Sequence, residues 1–270
     1  MKGLHNFLKG MAIGLATLVP GVSGGTMSIV LNVYDDLIHS ISSFFSNWKK
    51  SSIFLLQIGA GGLVALLLFS RVIESALVKF PYIMSFLFIG IILGGIPVLY
   101  KKSTKEKRNS KDFIFLIIGF ILVIAMSSEP TAVATLATGE GLYSMIFLFF
   151  AGIIMAVALI LPGISGSFLL LTLGLYDTTL SAMNVETLNI PFLITLGLGV
   201  IVGTLGTTKI IEKLLEKYPS KTYMLILGFV AGSLIAVFPG MPSGINILYS
   251  LLALVIGFAL IYAITKREIS

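Results

Sequence analysis

One short motif occurs twice in this chain, each time inside a strongly apolar stretch. Pro20-Gly21-Val22-Ser23-Gly24-Gly25 lies in the first half and Pro162-Gly163-Ile164-Ser165-Gly166-Ser167 in the second, an offset of 142 residues (162 − 20). The same offset matches Gly10 to Gly152, Ala16 to Ala158, Tyr34 to Tyr176 and Asp35 to Asp177. Proline and glycine break a helix, because one lacks a donor and the other accepts a positive φ. In hydrocarbon, the backbone groups freed by a break need partners from protein, water or a bound ion. Two equivalent breaks in two halves are the sequence sign of a transporter binding site.

Both breaks lie in a chain made for a bilayer. Of 270 residues, 57% are hydrophobic and only 11% charged, and mean hydropathy is +1.05. A soluble domain of this size does not have that composition, so a polytopic membrane protein is expected. With no cysteine and only two histidines, His5 and His39, thiol catalysis, disulfides and a histidine-rich metal site are excluded. No metal site or cofactor is expected, although a proton or sodium ion is a candidate for coupling. The net charge of +6 sits in the loops and sets topology rather than nucleic-acid binding. The N-terminal apolar run has no A-x-A-like cleavage site and leads into the motif, so it is expected to stay in the mature protein.

The expected order is a helix near 4–19, the first break, a helix near 26–45, then spans near 53–70, 82–100 and 113–128. The second half repeats this as 142–161, the second break, 168–182, 190–208, 222–238 and 246–264. The two repeats are placed at 1–135 and 136–270, within one integral membrane domain. A second offset of 138 (197 − 59) extends the match through Gly59/Gly197, Gly61/Gly199, Glu74/Glu212, Lys79/Lys217, Pro81/Pro219, Gly90/Gly228, Gly94/Gly232 and Gly119/Gly257. It also pairs Arg71 with Lys209 and Phe80 with Tyr218. Such self-similarity indicates duplication with one gap. Basic residues at 101–108, 209–221 and the C-terminus, against none in 128–141, 177–189 and 239–245, put both termini in the cytoplasm. Segment 71–80, with Arg71 and Lys79, is the exception. An odd number of crossings per half then inverts the repeats relative to each other. The expected fold is all-α, with two inverted repeats, each a re-entrant helical hairpin (4–45 and 142–182) followed by three transmembrane helices. Ten crossings are the alternative.

Ser23, Gly24, Gly25 and Thr26, with Ser165, Gly166 and Ser167, open the helices that follow the breaks. Serine and threonine cap helix starts, and free N–H groups with close-approach glycines favour an anion. These seven are the candidate ligands for a phosphate or carboxylate, with Pro20, Gly21, Pro162 and Gly163 as the turns. The plainer reading is that such residues only pack helices together. Arg71 and Glu74, like Lys209 and Glu212, lie three apart on one helical face. They are candidates for charge or ion coupling, against a simpler role as interfacial pairs at helix ends. Asp35 and Asp177 are expected at the far ends of the hairpins as anchors. Glu129 and Glu140 fall in an outer loop, and His5 and His39 have no counterpart in the other half. Trp48 with Lys49 and Lys50 marks a membrane interface.

The paired Pro-Gly-Val-Ser-Gly-Gly-Thr and Pro-Gly-Ile-Ser-Gly-Ser motifs resemble those of the polyprenyl-phosphate transporter family. The likeness extends over essentially the whole chain. It implies a non-enzymatic flippase of the bacterial cell membrane that returns undecaprenyl phosphate from the outer to the inner leaflet for envelope-polymer synthesis. The implied partners are that lipid and the bilayer, with no nucleic acid and no specified oligomer. The rival is a membrane polyprenyl-pyrophosphate phosphatase, whose Pro-Gly-x-Ser-Arg-Ser stretch this chain resembles except that Gly166 replaces the arginine. A small-anion carrier of the same fold is a further alternative. No phosphate-binding loop for ATP is present, so passive or ion-coupled transport is expected.

Overall fold

The computed structural model describes residues 2–18, 22–104, 110–126, 141–164, 170, 173, 175–183 and 189–269. The first half contains α1 (Lys2–Thr17), α2 (Gly24–Val30), α3 (Tyr34–Ser42), α4 (Trp48–Lys79), α5 (Pro81–Ser103) and, after a 3₁₀ turn at Ser110–Asp112, α6 (Phe113–Met126). The second contains α7 (Leu142–Ile160), α8 (Tyr176–Met183), α9 (Ile190–Lys217), α10 (Pro219–Val237) and α11 (Asn246–Ile269). No strand occurs among the described residues. α4, α5, α7, α9 and residues 246–263 of α11 are long and apolar enough to cross a bilayer, and α6 and α10 are shorter apolar helices. The chain is a multi-pass membrane protein.

The helix expected near 26–45 is two helices. α2 stops at Val30, and Asn32 takes a left-handed φ of 51°, a conformation asparagine tolerates better than most residues. The turn closes its own backbone: Asn32 N–H donates to Ile29 O and Val33 N–H to Ser28 O, each at 2.8 Å. Asp35 therefore sits in the first turn of α3 rather than at the far end of the hairpin, and with Asp36 complements the positive helix start. α4 and α9 outrun the expected 53–70 and 190–208 because their polar ends stay helical. Each ends against proline at N1 of the next helix: Phe80 (φ −134°, ψ 55°) before Pro81, and Tyr218 (φ −137°, ψ 56°) before Pro219. Of the expected 168–182 helix, α8 covers the last part, and residues 165–169, 171–172 and 174 lie outside the described residues.

Glycine fixes which helices touch. α1 packs on α4, α7 on α9, α5 on α11 and α6 on α10. A Cβ on Gly61 would overlap the Phe7 carbonyl, and one on Gly199 the Phe149 carbonyl. Gly10 lies equally close to Ile58 O, and Gly152 to Leu196 O. Gly90 meets Leu254 O while Gly228 meets Leu116 O, and Gly257 meets Leu87 O while Gly119 meets Leu225 O. In each of these four matched pairs the glycine thus meets the matched carbonyl. Without a hydrophobic drive between helices in lipid, such close backbone approach is how membrane helices associate. The core lies around α2: Met27, Ile29 and Val30 are buried against Ile92 and Leu99 of α5 and Met224 and Val230 of α10. Gly95 admits α2, since a Cβ there would overlap the Val30 side chain.

Gly59 and Gly197 have nothing within 4 Å of a would-be Cβ, which provides a control. Over-packing typically costs about 1–3 kcal/mol, so Gly61→Val should clearly lower the thermal unfolding midpoint in detergent while Gly59→Val leaves it nearly unchanged. Equal losses would contradict the seam.

Candidate functional site

The first motif opens α2 as a capped helix. Ser23 is extended (φ −91°, ψ 139°), and its Oγ accepts from the Gly25 N–H at 3.2 Å. Met27 N–H returns to Ser23 O at 3.1 Å, and Ser28 Oγ donates to Gly25 O at 2.7 Å. A serine cap satisfies one of the donors that a helix start leaves free. With seven residues, α2 contributes local N–H groups more than a long dipole.

The two motifs touch. Gly163 N–H donates to Thr26 Oγ1 at 2.8 Å in a buried bond between residues 137 apart. Thr26 is 1% exposed and Pro162 is fully buried. A Cβ on Gly25 would lie 3.2 Å from Pro162 Cα. Gly163 holds φ +86° and presses on Phe229 O of α10, a position that suits only glycine on both counts. α7 ends at Ile160, whose carbonyl accepts from the Tyr34 hydroxyl at 3.2 Å. The first motif and the start of α3 therefore satisfy backbone groups that the second break releases, as a protein-filled break in a membrane demands.

Beside this contact lies a cavity of about 410 Å³. Ser23, Gly24, Gly25 and Ser28 form its polar base. Ile13 and Thr17 of α1, Leu37, Ile38 and Ile41 of α3, and Ile58 of α4 form one wall, while Met155, Leu159, Ile160 and Ile164 of the second half form the other. A polar end with long apolar walls fits an amphiphile with a small headgroup.

Three of the seven candidate ligands, Ser23, Gly24 and Gly25, line that cavity. Thr26 instead turns to Gly163 and holds the motifs together. Ser165, Gly166 and Ser167, with Pro20 and Gly21, lie outside the described residues. Arg71, Glu74 and Lys209 are exposed, and neither these nor Glu212 are among the described residues lining the cavity. Glu212 joins α9 to α3: Ser42 Oγ donates to Oε2 and His39 Nδ1 lies beside Oε1, both at 2.5 Å. Its sequence match to Glu74 gave no sign of His39 as its partner. Asp35 is a second cross-link, accepting from Lys102 Nζ of α5 and Tyr223 Oη of α10, each at 2.7 Å. The Tyr34/Tyr176 and Asp35/Asp177 matches drew notice to these positions, but not to the residues they bind. The side chains of Tyr176 and Asp177 are outside the description.

Thr26→Val leaves a buried N–H without its acceptor, which costs about 1–3 kcal/mol. The variant should unfold at lower temperature than the native protein in detergent, and Thr26→Ser, which keeps the oxygen, should recover most of the loss. A Thr26→Val protein as stable as native would contradict the interlock.

Comparison with known proteins follows the same direction. The profile of the family described as undecaprenyl phosphate translocase-like matches residues 13–249. The polyprenyl-phosphate transporter of Staphylococcus aureus (strain NCTC 8325 / PS 47) is 39% identical over 264 residues, covering 94% of this chain and 93% of that protein. The polyprenyl-phosphate transporter of Vibrio cholerae serotype O1 (strain ATCC 39315 / El Tor Inaba N16961) is 30% identical over 259 residues, covering 88% and 79%. No solved structure matches. The chain belongs to the undecaprenyl phosphate translocase-like family.

Proposed function

We propose that this protein carries polyprenyl phosphate, in bacteria undecaprenyl phosphate, from the outer to the inner leaflet of the cytoplasmic membrane for reuse in envelope-polymer synthesis. The observation that carries the reading is the cavity whose polar base is the first motif and whose apolar walls come from both halves. Family membership supplies the substrate class. The phosphate rests on the Ser23 hydroxyl and the Gly24 N–H beside the Gly25 backbone, with Ser165, Gly166 and Ser167 contributing from the second motif. The isoprenyl chain follows Ile13, Leu37, Ile41 and Leu159 toward lipid. A phosphate in hydrocarbon loses its hydration, and the site replaces that shell with fixed donors.

The two halves are inverted repeats, and one rocks against the other around the touching motifs. The matched glycine contacts support this reading. α2 and α3, with seven and nine residues, are too short to cross about 30 Å of hydrocarbon, which favours a re-entrant first hairpin. Both termini are cytoplasmic. Transport is passive or coupled to protons or sodium, and the protein is a carrier rather than an enzyme.

The test uses sealed vesicles with a short-chain polyprenyl phosphate loaded in one leaflet. Native protein should move it to the other. Ser23→Ala combined with Ser165→Ala should slow it about tenfold or more, because a hydrogen bond to a charged group contributes roughly 1.5–3 kcal/mol. Failure of native protein to move lipid under any proton or sodium gradient would refute the reading, and phosphate release from the pyrophosphate form would replace it with the phosphatase.

A further inference from the structure

The same three helices that wall the motif cavity build a second one at the other end of the first hairpin. It measures about 490 Å³ and is lined from α1, α3, α4 and the turn before α4. The two cavities share helix faces. On α1, His5 and Lys9 line the second cavity while Ile13 and Thr17 line the first, and these four fall at four-residue steps along one face. On α4, Ser51 and Phe54 belong to the second and Ile58 to the first, again along one face. The two cavities therefore lie along the same faces of α1 and α4, with the polar one toward the start of each helix. Lys9 lies about 12 Å from the level of Thr17 at 1.5 Å per residue.

The polar cavity is basic. Lys9 and Lys50 face Asp36 as the one carboxylate of the lining, while Glu212, outside it, is held by His39 and Ser42. Neither lysine forms an ion pair or hydrogen bond with a described residue. The Ser40 and Ser51 hydroxyls add neutral polar groups. Ammonium groups without partners, beside hydroxyls in a concave site, suit a phosphate.

We propose that this cavity is a second phosphomonoester site, in which Lys9 and Lys50 hold the anionic headgroup after it leaves, or before it reaches, the Ser23–Gly25 base. As a station on the carried lipid's path it rests on the transport reading above. As a phosphate site it stands on the cavity alone.

The chain has no cysteine, so one can be placed as a reporter. Asn47 lines the cavity, is exposed, and makes no cap hydrogen bond with its side chain, so Asn47→Cys disturbs little. The measurement is the rate at which that thiol reacts with a water-soluble maleimide in the full detergent-solubilised chain. Farnesyl phosphate should slow labelling several-fold and farnesol should not. Lys9→Gln with Lys50→Gln should raise the farnesyl phosphate concentration needed by about tenfold or more. Asp36→Asn should lower it, a gain that misfolding cannot imitate. Equal protection by inorganic phosphate would assign the site to the free anion, whereas protection that needs the farnesyl tail assigns it to the lipid headgroup. No protection, protection by farnesol, or protection unchanged in the double lysine variant would overturn the site. Vesicle transport without protection would remove the station and keep the transporter. Protection without transport would keep the phosphate site and remove the transport reading, and the station with it.

Discussion

Every broken helix in a bilayer leaves backbone groups that water does not reach, and this protein answers that demand across its midline. The Pro162-Gly163 break frees an N–H and ends α7 with a carbonyl. Thr26 takes the first at 2.8 Å and Tyr34 the second at 3.2 Å. These two bonds join the halves where the motifs meet, and the cavity opens beside them. Phe168 stands at the position matched to Thr26 by the 142-residue offset, and a phenyl ring accepts no such bond. The two copies of the motif therefore differ at this position.

Around that contact, glycine does what apolar attraction cannot. Lipid tails are as apolar as leucine, so helices gain by approaching until their backbones touch. The Gly10/Gly61 and Gly152/Gly199 seams fix α1 on α4 and α7 on α9. The Gly90/Gly257 and Gly119/Gly228 seams fix α5 on α11 and α6 on α10. These rigid pairs leave polar cross-links to join them: Asp35 ties α3 to α5 and α10, and Glu212 ties α9 to α3. The first hairpin is thus held by side-chain bonds at its rim and by the motif contact at its base. In the transport reading, these polar bonds are the ones that change when the halves rock.

Much of this was legible in the sequence, and the rest was not, for physical reasons. The spans from 82 to 100 and from 246 to 264 emerged as α5 and α11 because long apolar runs leave little choice in a bilayer. Glycines spaced alike in two halves marked the seams because close approach depends on residue type. The division of 26–45 into α2 and α3 turned on one asparagine at positive φ and on a turn that closes its own hydrogen bonds, neither of which hydropathy records. Thr26 has the residue type of an anion ligand, and only its burial shows it facing Gly163. Glu212 matched Glu74 in sequence, yet its partners lie on α3, about 170 positions away. Side chains bound across the fold leave no local pattern.

The most direct test joins the motifs covalently. Gly25→Cys with Pro162→Cys places two thiols where a Gly25 Cβ would lie 3.2 Å from Pro162 Cα, in a chain with no other cysteine. Oxidation should form the bridge within one chain, seen as loss of both free thiols without linkage between molecules, and reduction should release them. Failure of the bridge to form while both thiols stay free would contradict the claim that the two motifs meet.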